Sequence, residues 1–339
     1  LILNKIIMGK CLVTKLSGSV NTNKLLKLGE MRIEFNSVSA PSKKTQGITL
    51  QSAKPITLKI VGNGYFTDKT LTENKGNTLS ILPNAMTYIY VSNGDFYISI
   101  PDKYSLTVLS LFAEESGSDI SVKNKTVYLD QIEYSTLLTT LRISSENTIG
   151  DIDSLKNLTS LTALNMSNLE NVNGDIDSLK NLSSLKTLQM SGSNLTGDIA
   201  SLKALTSLGT LMTTNLRGDV SALKPLTSLK TLWLKNGSFY GDCAALSPVL
   251  SFISFQTNTG NPSTLTWSER PSTSCIMSIE GQPKIDNIDK MLQDQAKCQT
   301  PSTATYIKII DVIGTRTSAS DAAVQTLQSM GYTVSITPA

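Results

Sequence analysis

The sequence predicts a mixed β and α/β protein made of three parts. Glycines that recur 21 to 24 residues apart predict a solenoid over residues 121–262, because a fixed period of this length marks units that stack on one another. Before it, short runs of alternating apolar and polar residues predict an all-β, sandwich-like module over residues 1–120. After it, alternating strand and helix patterns predict an α/β C-terminal cap over residues 263–339, which continues the solenoid sheet.

The N-terminal module is recognised by its strand signals. Two alternating runs, residues 87–91 and 96–100, are separated by a segment that contains Asn93-Gly94. Asn-Gly in this position is the strongest short signal for a β-hairpin, so the two runs are predicted to pair. The aromatic residues of the module are Tyr65, Phe66, Tyr88, Tyr90, Phe96, Tyr97 and Tyr104. They are interpreted as core and cross-strand pairs, and a sugar-stacking platform is the alternative interpretation.

Each repeat of the central segment contains a strand pattern and a turn pattern. Leu185, Leu188 and Met190 follow the order L-x-x-L-x-L, in which the last two alternate with polar residues as in a half-buried strand. A different spacing follows the glycine, where an apolar residue occupies every third position. In the first repeat these residues are Ile152, Leu155, Leu158 and Leu161. This period predicts 3₁₀-like turns that direct their apolar side chains into the core.

An aspartate follows the glycine of every repeat. The five pairs are Gly150-Asp151, Gly174-Asp175, Gly197-Asp198, Gly218-Asp219 and Gly241-Asp242. Stacked carboxylates of this kind are able to bind Ca²⁺ between repeats. The favoured interpretation is that each carboxylate accepts hydrogen bonds from the backbone of the turn.

The repeat also resembles a known family. Residues 151–161 read Asp-Ile-Asp-Ser-Leu-Lys-Asn-Leu-Thr-Ser-Leu and return almost unchanged at 175–185, which resembles the repeat of internalin-like bacterial leucine-rich repeat proteins. The step from Asn194 to Gly197 also resembles the plant-type repeat. The resemblance covers roughly residues 127–258. It implies a non-catalytic protein-binding role on a concave sheet, in adhesion or recognition at a bacterial cell surface.

The cap is predicted from two helical patterns between strand patterns. The helices are expected at residues 284–297 and 318–330, and the strands at 274–279, 306–312 and 333–336. Cys275 and Cys298 are able to pair if this part is oxidised, and the sequence leaves the pairing open.

Composition excludes several classes of function. The chain has no histidine, so His-dependent catalysis and His metal ligands are excluded, and none of its four cysteines forms a C-x-x-C motif. A net charge of +3 over 339 residues argues against a nucleic-acid surface. No apolar run approaches the ~20 residues of a membrane span, and the apolar segment 1–8 is too short for a signal peptide. We therefore expect no enzyme, cofactor or metal, and the compartment and oligomeric state stay open.

The outward positions of the predicted strands give the candidate ligand-binding residues. The central column is Arg142, Asn165, Gln189, Met212, Trp233 and Gln256, with Lys235 in the column that follows. Trp is enriched at binding hot spots, so Trp233 is predicted to anchor a protein ligand on the concave face. Two alternatives remain: a carbohydrate-binding surface protein that uses the N-terminal aromatics, and a structural component of a cell envelope or phage appendage.

Overall fold

A computed structural model of the chain describes residues 7–8, 11–12, 31–38, 46–61, 65–66, 78–91, 94–113, 125–144, 147–167, 170–192, 194–257, 263–268, 276–298 and 308–339. The chain forms two compact units. The N-terminal unit comprises Leu1–Leu161 and Asn165–Val172, and the C-terminal unit comprises Thr162–Leu164 and Asn173–Ala339. Strands dominate both units, and the described residues form two α-helices.

The N-terminal unit contains thirteen described strands. They are β1 (Ile7–Met8), β2 (Cys11–Leu12), β3 (Met31–Val38), β4 (Gln46–Ser52), β5 (Ile56–Val61), β6 (Tyr65–Phe66), β7 (Thr78–Ile81), β8 (Thr87–Val91), β9 (Gly94–Ile100), β10 (Leu106–Ala113), β11 (Lys125–Tyr128), β12 (Thr140–Ser144) and β13 (Asn147–Asp151). In one sheet, β4 pairs antiparallel with β8 and β10, and β10 pairs parallel with β12. In a second sheet, β9 lies between β3 and β5, and β11 joins β3 to β13.

The predicted hairpin between residues 87–91 and 96–100 is wrong. β8 pairs with β4 and β6, whereas β9 pairs with β3 and β5. The Asn-Gly signal indicates a change of chain direction, but it does not determine which strands become neighbours. Here the chain passes from one sheet to the other, so both partners of each run come from elsewhere in the unit.

Two strands, β14 (Ala163–Ser167) and β15 (Val172–Asp175), contain residues of both units. The strands that follow are β16 (Thr187–Ser191), β17 (Asn194–Thr196), β18 (Thr210–Thr214), β19 (Arg217–Asp219), β20 (Thr231–Asp242), β21 (Phe252–Thr257), β22 (Thr264–Thr266), β23 (Ile276–Glu280), β24 (Lys284–Asp286), β25 (Ile309–Ile313) and β26 (Thr333–Thr337). Successive strands β16, β18, β20, β21, β23, β25 and β26 pair in parallel. A second parallel row runs from β19 through the end of β20 to β22 and β24.

The helices of the C-terminal unit are α1 (Ile288–Ala296) and α2 (Asp321–Ser329). The first is shorter than predicted, because Lys284–Asp286 forms strand β24 and Asn287 lies in the left-handed region. Ile285 fits the apolar side of the predicted helix. In the structure it belongs to strand β24, and its side chain is buried there. A single apolar residue is compatible with both periods, so the pattern placed the helix start too early.

The apolar columns of the repeats form the core. The leucines of both patterns, such as Leu158 and Leu188, are fully buried. The every-third-residue pattern folds as predicted: the Leu158 N–H donates to the Leu155 carbonyl at 3.0 Å, and the Leu161 N–H donates to Leu158 at 3.0 Å. These three-residue steps follow the 3₁₀ turn Ile152–Leu155. The same turn recurs at Ile176–Leu179, Ile199–Ala204, Val220–Leu223 and Cys243–Ala245.

The aspartates cap these turns, as the favoured interpretation expects. In each of the five repeats, the Asp Oδ1 atom accepts a hydrogen bond from the backbone N–H two residues later, at 2.7 to 3.0 Å. The turn would otherwise leave this N–H without a partner. In the first two repeats a lysine pairs with the second aspartate of the turn: Lys156 with Asp153 and Lys180 with Asp177, both at 2.7 Å.

The glycine and the aspartate of neighbouring repeats fit against each other. Gly218 has a φ of +132°, and a Cβ placed on it would lie 2.8 Å from the Asp198 Cγ atom. Gly197 and Gly241 stand in the same relation to Asp175 and Asp219. Glycine is therefore required here both by the backbone conformation and by the carboxylate of the preceding repeat.

Candidate functional site

The outward positions of the parallel strands in the C-terminal unit form a continuous surface, which we call the Trp233 face. It comprises the residues of β16, β18, β20, β21 and β23 that alternate with the buried core residues. Strand register places Gln189 opposite Met212, and Met212 opposite Trp233. The next residue in this row is Ser254. The register therefore places Gln189, Met212 and Trp233, the centre of the predicted site, side by side.

The middle of the Trp233 face is apolar and partly open to solvent. Met212 and Trp233 are half-buried, and Gln189 beside them is half-buried too. The Gln189 Nε2 atom lies 3.3 Å from the Met212 Sδ atom, which holds the amide against the thioether. In the neighbouring outward row, Thr187, Thr210 and Thr231 are small and polar, and the half-buried Phe252 of β21 follows them. The Trp233 and Met212 side chains therefore form an apolar patch with threonines beside it and Phe252 on the next strand.

Gln256 does not occupy the predicted column. It pairs with Lys235, and Ser254 stands opposite Trp233. The predicted register of this strand relative to the strand of Trp233 was therefore wrong by two residues. The prediction took a step of 23 residues from Trp233 to Gln256, whereas the strand register gives a step of 21 residues from Trp233 to Ser254.

A carboxylate that was not predicted lies in this row on β23. The Gln256 Nε2 atom donates to Glu280 Oε1 at 2.8 Å, and the Ser278 Oγ atom donates to the same oxygen at 3.2 Å. The strand predicted for this segment stopped at residue 279, one residue short of Glu280. The Trp233 face thus carries a positive charge at Lys235 and a negative charge two strands away, a distance of about 10 Å at the usual spacing of strands.

Thr214 was also missed, because a threonine in an outward column gives no signal of its own. It pairs with Lys235 and lies on the same side of β18 as Met212. The side chain is only 6% exposed, and its Oγ1 atom has no hydrogen-bond partner. An unsatisfied buried hydroxyl destabilises the folded chain, so this position requires an explanation.

Arg142 and Asn165 belong to the N-terminal unit. Arg142 is exposed on β12, where it pairs with Ser110 of β10. Asn165 is half-buried on β14. Both are outward residues of their strands, as expected, and both remain predicted contacts.

The N-terminal aromatics are described only in part. Tyr88 is 43% exposed on β8, near the exposed Met86. Tyr104 is half-buried, and the Lys103 Nζ atom lies 5.5 Å from its ring centroid. Burial lowers the pKa of Lys103, although the charges of Asp130 and Glu133 oppose this effect. The side chains of Tyr65, Phe66, Tyr90, Phe96 and Tyr97 lie outside the described residues.

The described residues provide little material for metal or redox chemistry. They contain no cluster of three or more Cys, Asp or Glu side chains able to hold a metal ion. Cys243 and Cys298 are both buried, and Cys275 lies outside the described residues, so the Cys275–Cys298 pairing stays a prediction. None of the helices in the described segments is long and apolar enough to cross a membrane.

Comparison with known proteins gives structural similarity alone. No protein-family model and no curated protein matches the sequence. The chain is similar to the plant peptide hormone receptor RGFR1 solved in complex with RGF2, with a TM-score of 0.42 and 19% identity, over 59% of this chain and 32% of the receptor. This chain therefore spans about a third of the receptor's length.

Two internalins from Listeria monocytogenes are similar over more of their length. For internalin C2 the TM-score is 0.39 and the identity 20%, over 70% of this chain and 83% of the internalin. For the internalin inlF the TM-score is 0.39 and the identity 19%, over 68% and 67% of the two chains. These solved structures are leucine-rich repeat proteins, the class that the repeats of this sequence resemble.

Proposed function

We propose that this protein is a non-catalytic recognition protein that binds a protein ligand on the Trp233 face. In this proposal the parallel strands form the concave side of a leucine-rich repeat solenoid. The observation that carries it is the half-exposed pair Met212 and Trp233, which lie side by side on the outward side of β18 and β20. An aromatic side chain with an apolar neighbour is the usual centre of a binding hot spot.

The surrounding residues have the chemistry of a polar rim. Lys235 and Gln256 lie opposite each other beside the apolar pair, and Gln189 borders it on the other side. We assign these three residues to hydrogen bonds and charge contacts with the ligand. Arg142 and Asn165, which belong to the N-terminal unit, stay predicted polar contacts of the ligand.

The proposal is tested by replacing the anchor. Wild-type protein and the Trp233→Ala variant are used to capture ligands from bacterial and host surface extracts, and each captured protein is then purified and titrated against both. Loss of a hot-spot Trp is expected to cost about 2 kcal/mol or more, which is about thirtyfold in affinity.

Tyr240→Ala is the matched control. Tyr240 lies on the same strand, β20, but belongs to the second strand row, where it pairs with Thr264, and its side chain is 53% exposed. This variant is expected to bind like the wild type. Equal affinity of the wild type and Trp233→Ala for every captured protein would contradict the proposal. A constitutive oligomer that captures no ligand would instead favour a structural appendage.

A carbohydrate-binding function is a second candidate, supported by the exposed Tyr88 and Met86 on the N-terminal unit. An exposed aromatic ring is able to stack on a sugar. Glycan-array binding that is lost in Tyr88→Ala and kept in Trp233→Ala would favour this candidate. Binding that depends on Trp233 and not on Tyr88 would exclude it.

A further inference from the structure

Two adjacent threonines on β18 differ in the direction of their side chains. Thr213 lies in the core column, between Met190 and Leu234 in the neighbouring strands. Thr214 lies on the Trp233 face, on the side of the strand that carries Met212. The hydroxyls of both are buried without a hydrogen-bond partner. Thr214 belongs to the face that the ligand contacts in the proposed function, whereas Thr213 faces the core.

A lysine lies opposite Thr214 on the neighbouring strand. Thr214 pairs directly with Lys235, whose side chain is exposed. In the described part of the chain Lys235 forms no ion pair, since the described ion pairs of lysine involve other residues. Gln256, on the far side of Lys235, already donates its amide to Glu280. Lys235 and Thr214 therefore present two donors, an ammonium and a hydroxyl, at neighbouring positions.

We infer that Thr214 and Lys235 form a carboxylate subsite that recognises an acidic side chain of the protein ligand. This inference rests on the proposed function, because it assigns chemistry to the ligand that Trp233 anchors. The hydroxyl gains the hydrogen bond it lacks in the free protein, and hydrogen bonds to charged groups are about twice as strong as neutral ones. Since Trp233 is two residues before Lys235 on the same face, the acidic residue of the ligand lies beside an apolar one.

Glu280 determines which charge the ligand carries at the other end of the face. Its carboxylate is held by Gln256 and Ser278 about 10 Å from Lys235, at two strand spacings. A second acid in the ligand would meet repulsion there, whereas a basic residue would be attracted. The preferred ligand segment therefore carries an acid at the Lys235 end and no acid at the Glu280 end.

Selection from short random peptides displayed on phage tests this inference. The peptides are fused through their C-termini and therefore have no free terminal carboxylate. Every carboxylate that selection enriches in the random segment then belongs to an Asp or Glu side chain. We expect wild-type protein to enrich peptides in which Asp or Glu adjoins an aromatic or aliphatic residue. Lys235→Met should abolish the acidic preference, and Thr214→Val should weaken binding of the selected peptides about tenfold.

Thr213→Val is the matched control, because it removes a buried unsatisfied hydroxyl from the same strand without altering the Trp233 face. It should leave peptide affinity unchanged. Acidic enrichment that persists in both Lys235→Met and Thr214→Val would overturn the inference. Trp233-dependent peptides without acidic preference would also overturn it while leaving the proposed function intact. Selected peptides that bind Trp233→Ala as well as wild type would refute both.

Discussion

The contact between Gly218 and Asp198 gives a sharp test of how the repeats are held together. In the Gly218→Ala variant, the new methyl group overlaps the Asp198 carboxylate of the preceding repeat, whose Oδ1 atom caps the Ala200 N–H at 2.8 Å. The alanine must also adopt a φ of +132°, which side chains with a Cβ atom rarely adopt. Both effects act on the folded state.

The expected loss of stability follows from these two effects. A residue other than glycine in this backbone region costs roughly 1–3 kcal/mol. Displacing the carboxylate weakens the Asp198 cap, and loss of such a cap costs about 1 kcal/mol. We therefore expect Gly218→Ala to destabilise the protein by about 3 kcal/mol. For a domain of this size the melting temperature should fall by about 6–12 °C.

Thermal unfolding followed by circular dichroism measures this loss, with Gly209→Ala as the control. A Cβ atom on Gly209 would lie 3.6 Å from the Lys186 carbonyl oxygen, an ordinary contact, so this variant should retain the wild-type melting temperature or exceed it slightly. The combined Gly218→Ala and Asp198→Ala variant should be less destabilised than the sum of the single variants, because the overlap is removed. Strict additivity, or a Gly218→Ala variant as stable as Gly209→Ala, would refute the reasoning.

Two further predictions concern stability. Thr213→Val should stabilise the protein by about 1 kcal/mol in urea unfolding, since it removes a buried hydroxyl without a partner; a loss of stability would indicate a hydrogen bond at this hydroxyl. Asp289 has a lowered pKa: burial opposes the shift, but hydrogen bonds from Ser320 and Thr317 outweigh it. Its contribution to stability is therefore complete above the unfolded pKa of about 3.9 and declines as the pH falls through the folded value. The acid limb of the stability curve should be shallower in Asp289→Asn, and an unchanged limb would contradict this assignment.

Much of the repeat was predictable because each signal is local and recurs. The spacing of Leu155, Leu158 and Leu161 predicted the three-residue turns, and the aspartate after each glycine predicted the backbone cap. A local hydrogen bond depends on residues two or three positions apart, so the sequence is sufficient to specify it. Repetition over five turns then distinguishes the pattern from chance.

The predictions that failed depend on which strands become neighbours. The Asn93-Gly94 segment predicted a hairpin, yet β8 and β9 pair with strands of different sheets. Gln256 was placed beside Trp233, yet the register puts it beside Lys235. A shift by two residues keeps the same side chains outward, so alternation of apolar and polar residues cannot detect it.

The sequence alone determined the repeating unit, its buried leucines and the absence of histidine chemistry, because composition and periodicity fix these directly. The tertiary structure decided which outward residues meet. It placed Trp233 between Met212 and Ser254, joined Glu280 to Gln256, and buried the Thr214 hydroxyl beside Lys235. These arrangements depend on the register between strands about 20 residues apart in the chain, which is set by packing of the whole sheet rather than by local sequence.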